Sequence, residues 1–291
     1  AIHRGIQDEV GLAMDAVLGL LNSVFTGDVS PPLRKVLTDP QILIGTFGYL
    51  LLAPLLRRSS LVDTRKGAYK RCMIAYNTVM AVYSLGCFLV TTTALGWDYG
   101  YGGWLRALTG DKAVTELYTN TCPSPVFESR LFVWAATSFY YSKYVEYLDT
   151  AWLVLKGKPV SFLQTFHHFG APWDMYLGLY LKNEGLWIFV FLNAFIHTLM
   201  YTYYGLTAAG YRIPFKPLMT LMQLFQFCCG FAIVWDYINV PCFRADQGML
   251  FSWVFNYFYV GAVLLLFMHF FYVDNFRKRQ KASTGAKKKA V

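Results

Sequence analysis

Gln164, Thr165, Phe166, His167 and His168 stand together inside an apolar run from Ser161 to Leu181. Two adjacent imidazoles at membrane depth are costly unless each finds a partner, so by default they mark a buried site. A neutral imidazole can act as nucleophile or proton carrier near neutral pH. A third, His197, lies in the next apolar run with Tyr201, Tyr203 and Tyr204, so three of the five histidines fall in two neighbouring segments. Lys143, Glu146, Asp149 and Thr150 recur at i, i+3, i+6 and i+7, along one helical face. Alone, that stripe reads as ion pairs at a membrane border. Gln164, His167, His168 and Ala171 form a second stripe. Asn193, His197, Tyr201 and Tyr204 form a third at i, i+4, i+8 and i+11. Thr220, Gln223 and Gln226 form a fourth, which by itself reads as interhelical packing. The convergence of four consecutive polar faces says more than any one of them, because every polar group in lipid needs an internal partner.

Such residues need long apolar helices to carry them, and the composition supplies these. The 291 residues are 56% hydrophobic and 15% charged, against about 25% charged in a soluble domain. The net charge of +9 does not argue for nucleic acid, because Lys and Arg cluster beside apolar runs. Residues 8–25 read as an amphipathic helix lying on the membrane surface, with Val10, Ala13, Met14, Val17, Leu21 and Val24 at helical spacing. Pro31 and Pro32 interrupt it. Spans are predicted near 41–56, 70–95, 126–155, 160–181, 185–208, 217–238 and 249–273. The third is too long for one straight crossing and must tilt, kink or emerge. Lys and Arg number 17 on one side of these spans and 7 on the other, with Arg130 at the border. That bias sets the N-terminus outside and the C-terminus in the cytosol. The expected organisation is an all-α integral membrane protein of seven helices over 40–275, with a non-cytosolic arm over 1–39 and a basic tail over 276–291. No signal-peptide pattern is visible, and the opening Ala1 is read as loss of an initiator methionine.

Six cysteines show no metal-binding spacing. Cys72, Cys87, Cys228 and Cys229 lie in apolar segments and are expected to pack as small apolar residues. Cys122 and Cys242 fall on the same non-cytosolic side, where a disulfide can persist; two free loop cysteines are the equal alternative. Adjacent histidines also occur in membrane di-iron oxygenases. Three membrane histidines, with His269 and His3, are too few for such histidine-rich centres, and no metal is expected.

The runs Lys143-x-x-Glu146-x-x-Asp149-Thr150, His167-His168, His197-x-x-Met200-Tyr201-x-Tyr203-Tyr204 and Thr220-x-x-Gln223-x-x-Gln226 resemble the four signatures of the ELO fatty acid elongases, in order and spacing. The resemblance covers roughly residues 40–275. Animal members carry histidine where this chain has Gln164. The Gln form, followed by Phe166 to Asp174, is similar to the algal and protist branch, within it to Δ9-type polyunsaturated elongases acting on C18 acyl-CoAs.

The resemblance implies seven helices, six of them a barrel around an acyl tunnel. It implies condensation of an acyl-CoA with malonyl-CoA to a 3-ketoacyl-CoA in the endoplasmic reticulum membrane, with no bound cofactor. His167 would be the nucleophile, with His168 and His197 as proton carriers or orienting groups. Lys143, Glu146, Asp149, Thr150, Gln164, Asn193, Tyr201, Tyr204, Gln223 and Gln226 would bind substrate or fix a tautomer. Lys156, Lys158, Arg212 and Lys216 would meet CoA phosphates, a role weighed equally against simple topology determination. Lys288 and Lys289 match a dilysine retrieval signal. Candidate partners are the bilayer, the reductase and dehydratase of the elongation cycle, and a second copy of the chain. The rival class is a seven-helix transporter or receptor, since intramembrane His, Glu and Asp also mark solute pathways.

Overall fold

The computed structural model describes residues 2–58, 67–99, 125–214 and 216–273. Among them every regular element is a helix: α1 (Ile2–Thr26), α2 (Pro31–Leu37), α3 (Pro40–Arg58), α4 (Gly67–Tyr99), α5 (Arg130–Val145), α6 (Tyr147–Leu155), α7 (Phe162–Tyr180), α8 (Leu186–Ala209), α9 (Lys216–Trp235), α10 (Pro241–Ala245) and α11 (Gln247–Tyr272). Short 3₁₀ turns lie at Pro125–Glu128 and Asp236–Asn239. Local chemistry sets several ends. Ser129, Ser161 and Asp246 cap α5, α7 and α11 by accepting from the backbone N–H three residues on. Gly210 ends α8 in the left-handed region, φ 114°, which glycine adopts without steric cost. Pro31, predicted to interrupt a helix, instead begins α2, where its missing N–H costs nothing.

Two predicted elements take definite form in the structure. The surface helix begins at Ile2; Leu20 is buried in the main core while Met14, Leu18, Leu21 and Phe25 are exposed. The overlong segment 126–155 is two helices. At Glu146 the chain tightens, with the Asp149 N–H bonding to the Glu146 carbonyl at 3.0 Å in an i+3 turn, and α6 begins at Tyr147. The four-residue stripe is therefore divided, with Lys143 on α5, Asp149 and Thr150 on α6, and Glu146 at the junction.

Among the described residues, five helical stretches are long and apolar enough to cross a membrane: Pro31–Leu56, Gly67–Gly96, Leu186–Ala209, Lys216–Asn239 and Gln247–Tyr272. The stretches α5–α6 and α7 fall short of that measure. They carry Lys143, Glu146 and Asp149 on one and Gln164, His167, His168 and Asp174 on the other. Packing partners run from α4 to α5, to α7, to α11, to α9, to α8 and back to α4, with α3 outside against α6 and α7. One end of this ring is filled by a dry core that includes Trp187, Ile188, Val190, Val234, Tyr237 and Ile238. Of the cysteines in apolar segments, Cys87 is buried as expected, whereas Cys72 and Cys228 sit on exposed helix surface. The proposed pairing of Cys122 with Cys242 and the Lys288-Lys289 signal lie outside the described residues.

Candidate active site

A cavity of about 620 Å³ opens at the other end of the ring. The wall brings His167 and His168 of α7 together with His197 of α8. The two adjacent rings lie nearly perpendicular, 5.2 Å between centroids. The position of α7 follows from its start: the Ser161 hydroxyl accepts from the Gln164 N–H at 3.1 Å, one turn before His167. His168 is buried, with the rings of Tyr49 and Tyr147 at 5.8 and 6.2 Å. Pro172 brings no N–H, so the His168 carbonyl loses its usual helical donor.

Glu146, at the junction of α5 and α6, brings an acid to this site. Its Oε1 lies 2.7 Å from Lys143 Nζ and 3.3 Å from His197 Nδ1, all three side chains being almost fully enclosed. Lys143 also stands over the Phe139 ring, 3.9 Å from its centroid. His197 Nδ1 makes no hydrogen bond among the described residues, so the carboxylate faces it as a nearby charge, which favours the proton on that nitrogen. One turn on, Asp149 accepts from the Tyr201 hydroxyl at 2.7 Å, linking α6 to α8. Glu146, Asp149, Gln164, Asn193, Tyr201 and Tyr204 all border the cavity, as do Thr220, Gln223 and Gln226 from α9. Gln226 is buried, and its Oε1 finds no partner among the described residues. Among those residues no three His, Cys, Asp or Glu side chains meet at metal-ligand range.

A family model described as GNS1/SUR4, ELO, matches residues 36–284. The chain belongs to the ELO family. Very long chain fatty acid elongase 7 of Rattus norvegicus is 31% identical over 246 residues, 79% of this chain and 78% of the relative. Fatty acid elongase 3 of Trypanosoma brucei brucei is 35% identical over 179 residues, 57% of this chain and 58% of the relative. A Dictyostelium discoideum relative is 35% identical over 154 residues, so the chain spans half of that relative's length.

Within this ELO chain, three sequence-predicted residues stand off the wall. Lys143 pairs with Glu146 rather than facing the cavity. Thr150 lies off the cavity and bonds the Tyr49 hydroxyl at 2.9 Å and Gln164 Nε2 at 3.3 Å. Arg212 is exposed beyond the mouth, whereas Lys156, Lys158 and Lys216 border it. Partial burial, with Lys158 alongside, holds the Lys156 ammonium below the ordinary lysine pKa. Sequence reasoning missed Asn77 of α4 and Trp152 of α6, both on the wall. Asn77 is a lone buried amide whose Nδ2 donates to the Met73 carbonyl at 2.7 Å. Its one signal was an amide in an otherwise apolar span.

Proposed function

We propose that this protein is the condensing enzyme of fatty acid elongation. It joins a long-chain acyl-CoA, of the C18 polyunsaturated class, to malonyl-CoA and yields 3-ketoacyl-CoA, CO2 and CoA. The observation that carries this reading is the convergence of His167, His168 and His197 on one cavity, with Glu146 at His197 Nδ1. Membership of the ELO family, whose relatives bear elongase names, supports the same class and disfavours a transporter.

In this reading the six packed helices are a barrel around an acyl tunnel, in a protein that crosses the membrane seven times. It sits in the endoplasmic reticulum with its N-terminus lumenal and its tail cytosolic. The neutral imidazole of His167 attacks the thioester carbon; the C–S bond breaks, and CoA leaves as thiolate with the acyl group on nitrogen. Malonyl-CoA then loses CO2, and the resulting enolate attacks the acyl carbon while the His167–acyl bond breaks. His197 Nε2 moves protons, Glu146 holds its tautomer, and His168 orients or stabilises the enolate. Gln223, Gln226, Asn193 and Tyr204 donate to the thioester and pantetheine, and Lys156, Lys158 and Lys216 meet CoA phosphates. No bound cofactor is called on; the partners are the two CoA substrates and the other enzymes of the cycle.

Incubation with acyl-CoA alone tests the mechanism. The expected result is stoichiometric CoA release with an acyl adduct on His167 by peptide mass spectrometry. Absence of both, with condensation intact when malonyl-CoA is added, would replace this sequence by a ternary complex in which a histidine is only a base. Absence of labelled CO2 release from malonyl-CoA with every acyl-CoA offered would overturn the enzyme class itself.

A further inference from the structure

The histidine pair sits on a helix that its own hydrogen bonds hold poorly. Pro172 withdraws one rung just after His168, and a helix missing a rung can bend or turn there. What fixes the orientation of α7 comes from α11. The Tyr259 hydroxyl donates to the His167 carbonyl at 2.9 Å. The Tyr259 ring stacks on Phe166, 5.6 Å between centroids, and passes directly over Gly170. A Cβ at position 170 would lie 2.1 Å from that ring, so only glycine leaves room for the approach. One turn earlier on α11, the Asn256 amide donates to both carboxylate oxygens of Asp174, each at 3.0 Å. The two contacts bracket the Pro172 gap, one before it and one after. None of Tyr259, Gly170, Asn256 and Asp174 borders the cavity.

We propose that Tyr259 and Asn256 are positioning residues, which clamp α7 on both sides of its proline gap at the rotation that turns His167 and His168 into the cavity. A bond to the backbone of the nucleophile's own residue controls height as well as rotation. A misplacement of about 1 Å at the reacting atom can cost on the order of 100-fold in rate. Since the clamp touches no substrate, its loss acts on turnover rather than on binding.

This inference rests on the condensing-enzyme reading, and the test separates the two. Tyr259→Phe keeps the ring and removes the hydroxyl. The expected result is a fall in kcat of about tenfold, near the value of one buried hydrogen bond, with KM for both CoA substrates unchanged within about twofold. Carbethoxylation of His167 by diethyl pyrocarbonate, followed by peptide mass spectrometry, needs no substrate and should change in rate. Gly170→Ala should cost more than Tyr259→Phe, and Gly170→Ala with Tyr259→Ala should recover activity over Gly170→Ala alone, because the ring the methyl strikes is gone. An unchanged kcat and labelling rate in Tyr259→Phe, a rise in KM alone, or no recovery in the double variant would each overturn the clamp. If Tyr259→Phe does not purify as a monodisperse protein, Asn256→Ala read by the same two measurements decides. A wild-type protein that condenses nothing, yet whose His167 labelling responds to Tyr259→Phe, would keep the clamp and sink the condensing enzyme.

Discussion

The two ends of the helical ring differ in how their large buried amide and indole groups are partnered, although the small Thr91 hydroxyl of α4, beside the packed core, is also buried without a partner among the described residues. At the packed end the large aromatics are tied: Trp187 Nε1 donates to the Tyr237 hydroxyl at 3.1 Å and Trp253 Nε1 to the Val234 carbonyl at 3.0 Å. Asn183 likewise donates to Ser252 at 3.1 Å. At the cavity end, Gln226 Oε1 and Trp152 Nε1 are buried without a partner among the described residues. Leaving a buried polar group unpaired costs about 1–3 kcal/mol, so stability alone would remove such groups. Their presence teaches where the molecule gives up stability to keep hydrogen-bonding capacity open for something that arrives.

The sharpest way to break this comparison is to exchange the expected effects. His167→Ala should lower condensation at least about 1,000-fold while leaving unfolding within about 1 kcal/mol of wild type, because the ring faces the cavity. The check is turnover against malonyl-CoA beside a denaturation curve in the same detergent. Trp187→Ala should do the reverse. Its side chain is fully buried, and truncation should cost about 3–5 kcal/mol of stability, with kcat of the folded protein little changed. If His167→Ala destabilised as much as Trp187→Ala, the cavity end would be ordinary core.

Gln226→Leu sharpens the contrast at a single residue. It replaces an amide whose oxygen has no partner among the described residues by an apolar group of similar size. Stability should hold or rise by about 1 kcal/mol, while KM for a CoA substrate should rise about tenfold, the worth of one good hydrogen bond. Thermal midpoints and steady-state kinetics on one preparation decide it. A fall in stability would mean that the amide already serves the protein rather than its ligand.

Much of this site was legible because helical spacing preserves direction. His197, Tyr201 and Tyr204 share a face on a long unbroken helix, and the cavity finds all three there. The same reasoning did not resolve which side of a stripe meets the cavity. Thr150 comes seven residues after Lys143, almost the same direction on a helix, and both stand off the wall that Glu146 and Asp149 border. Nor could counting find contacts between distant segments. Tyr259 reaches the His167 carbonyl across 92 residues, and its target is backbone, which carries no residue-type signal. Gly170 stood in the run after the histidines with no role read for it; the Tyr259 ring above it gives the reason only in three dimensions. Hydropathy marked the helices that enclose the site better than α5–α6 and α7, which build much of it, because chemistry-bearing residues lower the score of their own helices.

The smallest expected effect tests where the cavity end stops. Lys156 borders the mouth and Arg212 lies beyond it, yet both were read from sequence as phosphate contacts. An exposed charge pair contributes about 0.3–1 kcal/mol, so Lys156→Ala should raise KM for acyl-CoA by about two- to fivefold at low salt. The difference should vanish near 1 M salt, where screening falls to about 3 Å. Arg212→Ala should leave KM unchanged at either ionic strength. If instead Arg212→Ala matches Lys156→Ala and loses its effect with salt in the same way, the phosphates are attracted by the summed field of the basic face. The cavity wall would then mark only where the acyl thioester sits, and the boundary between the two ends would lie inside the protein rather than at its mouth.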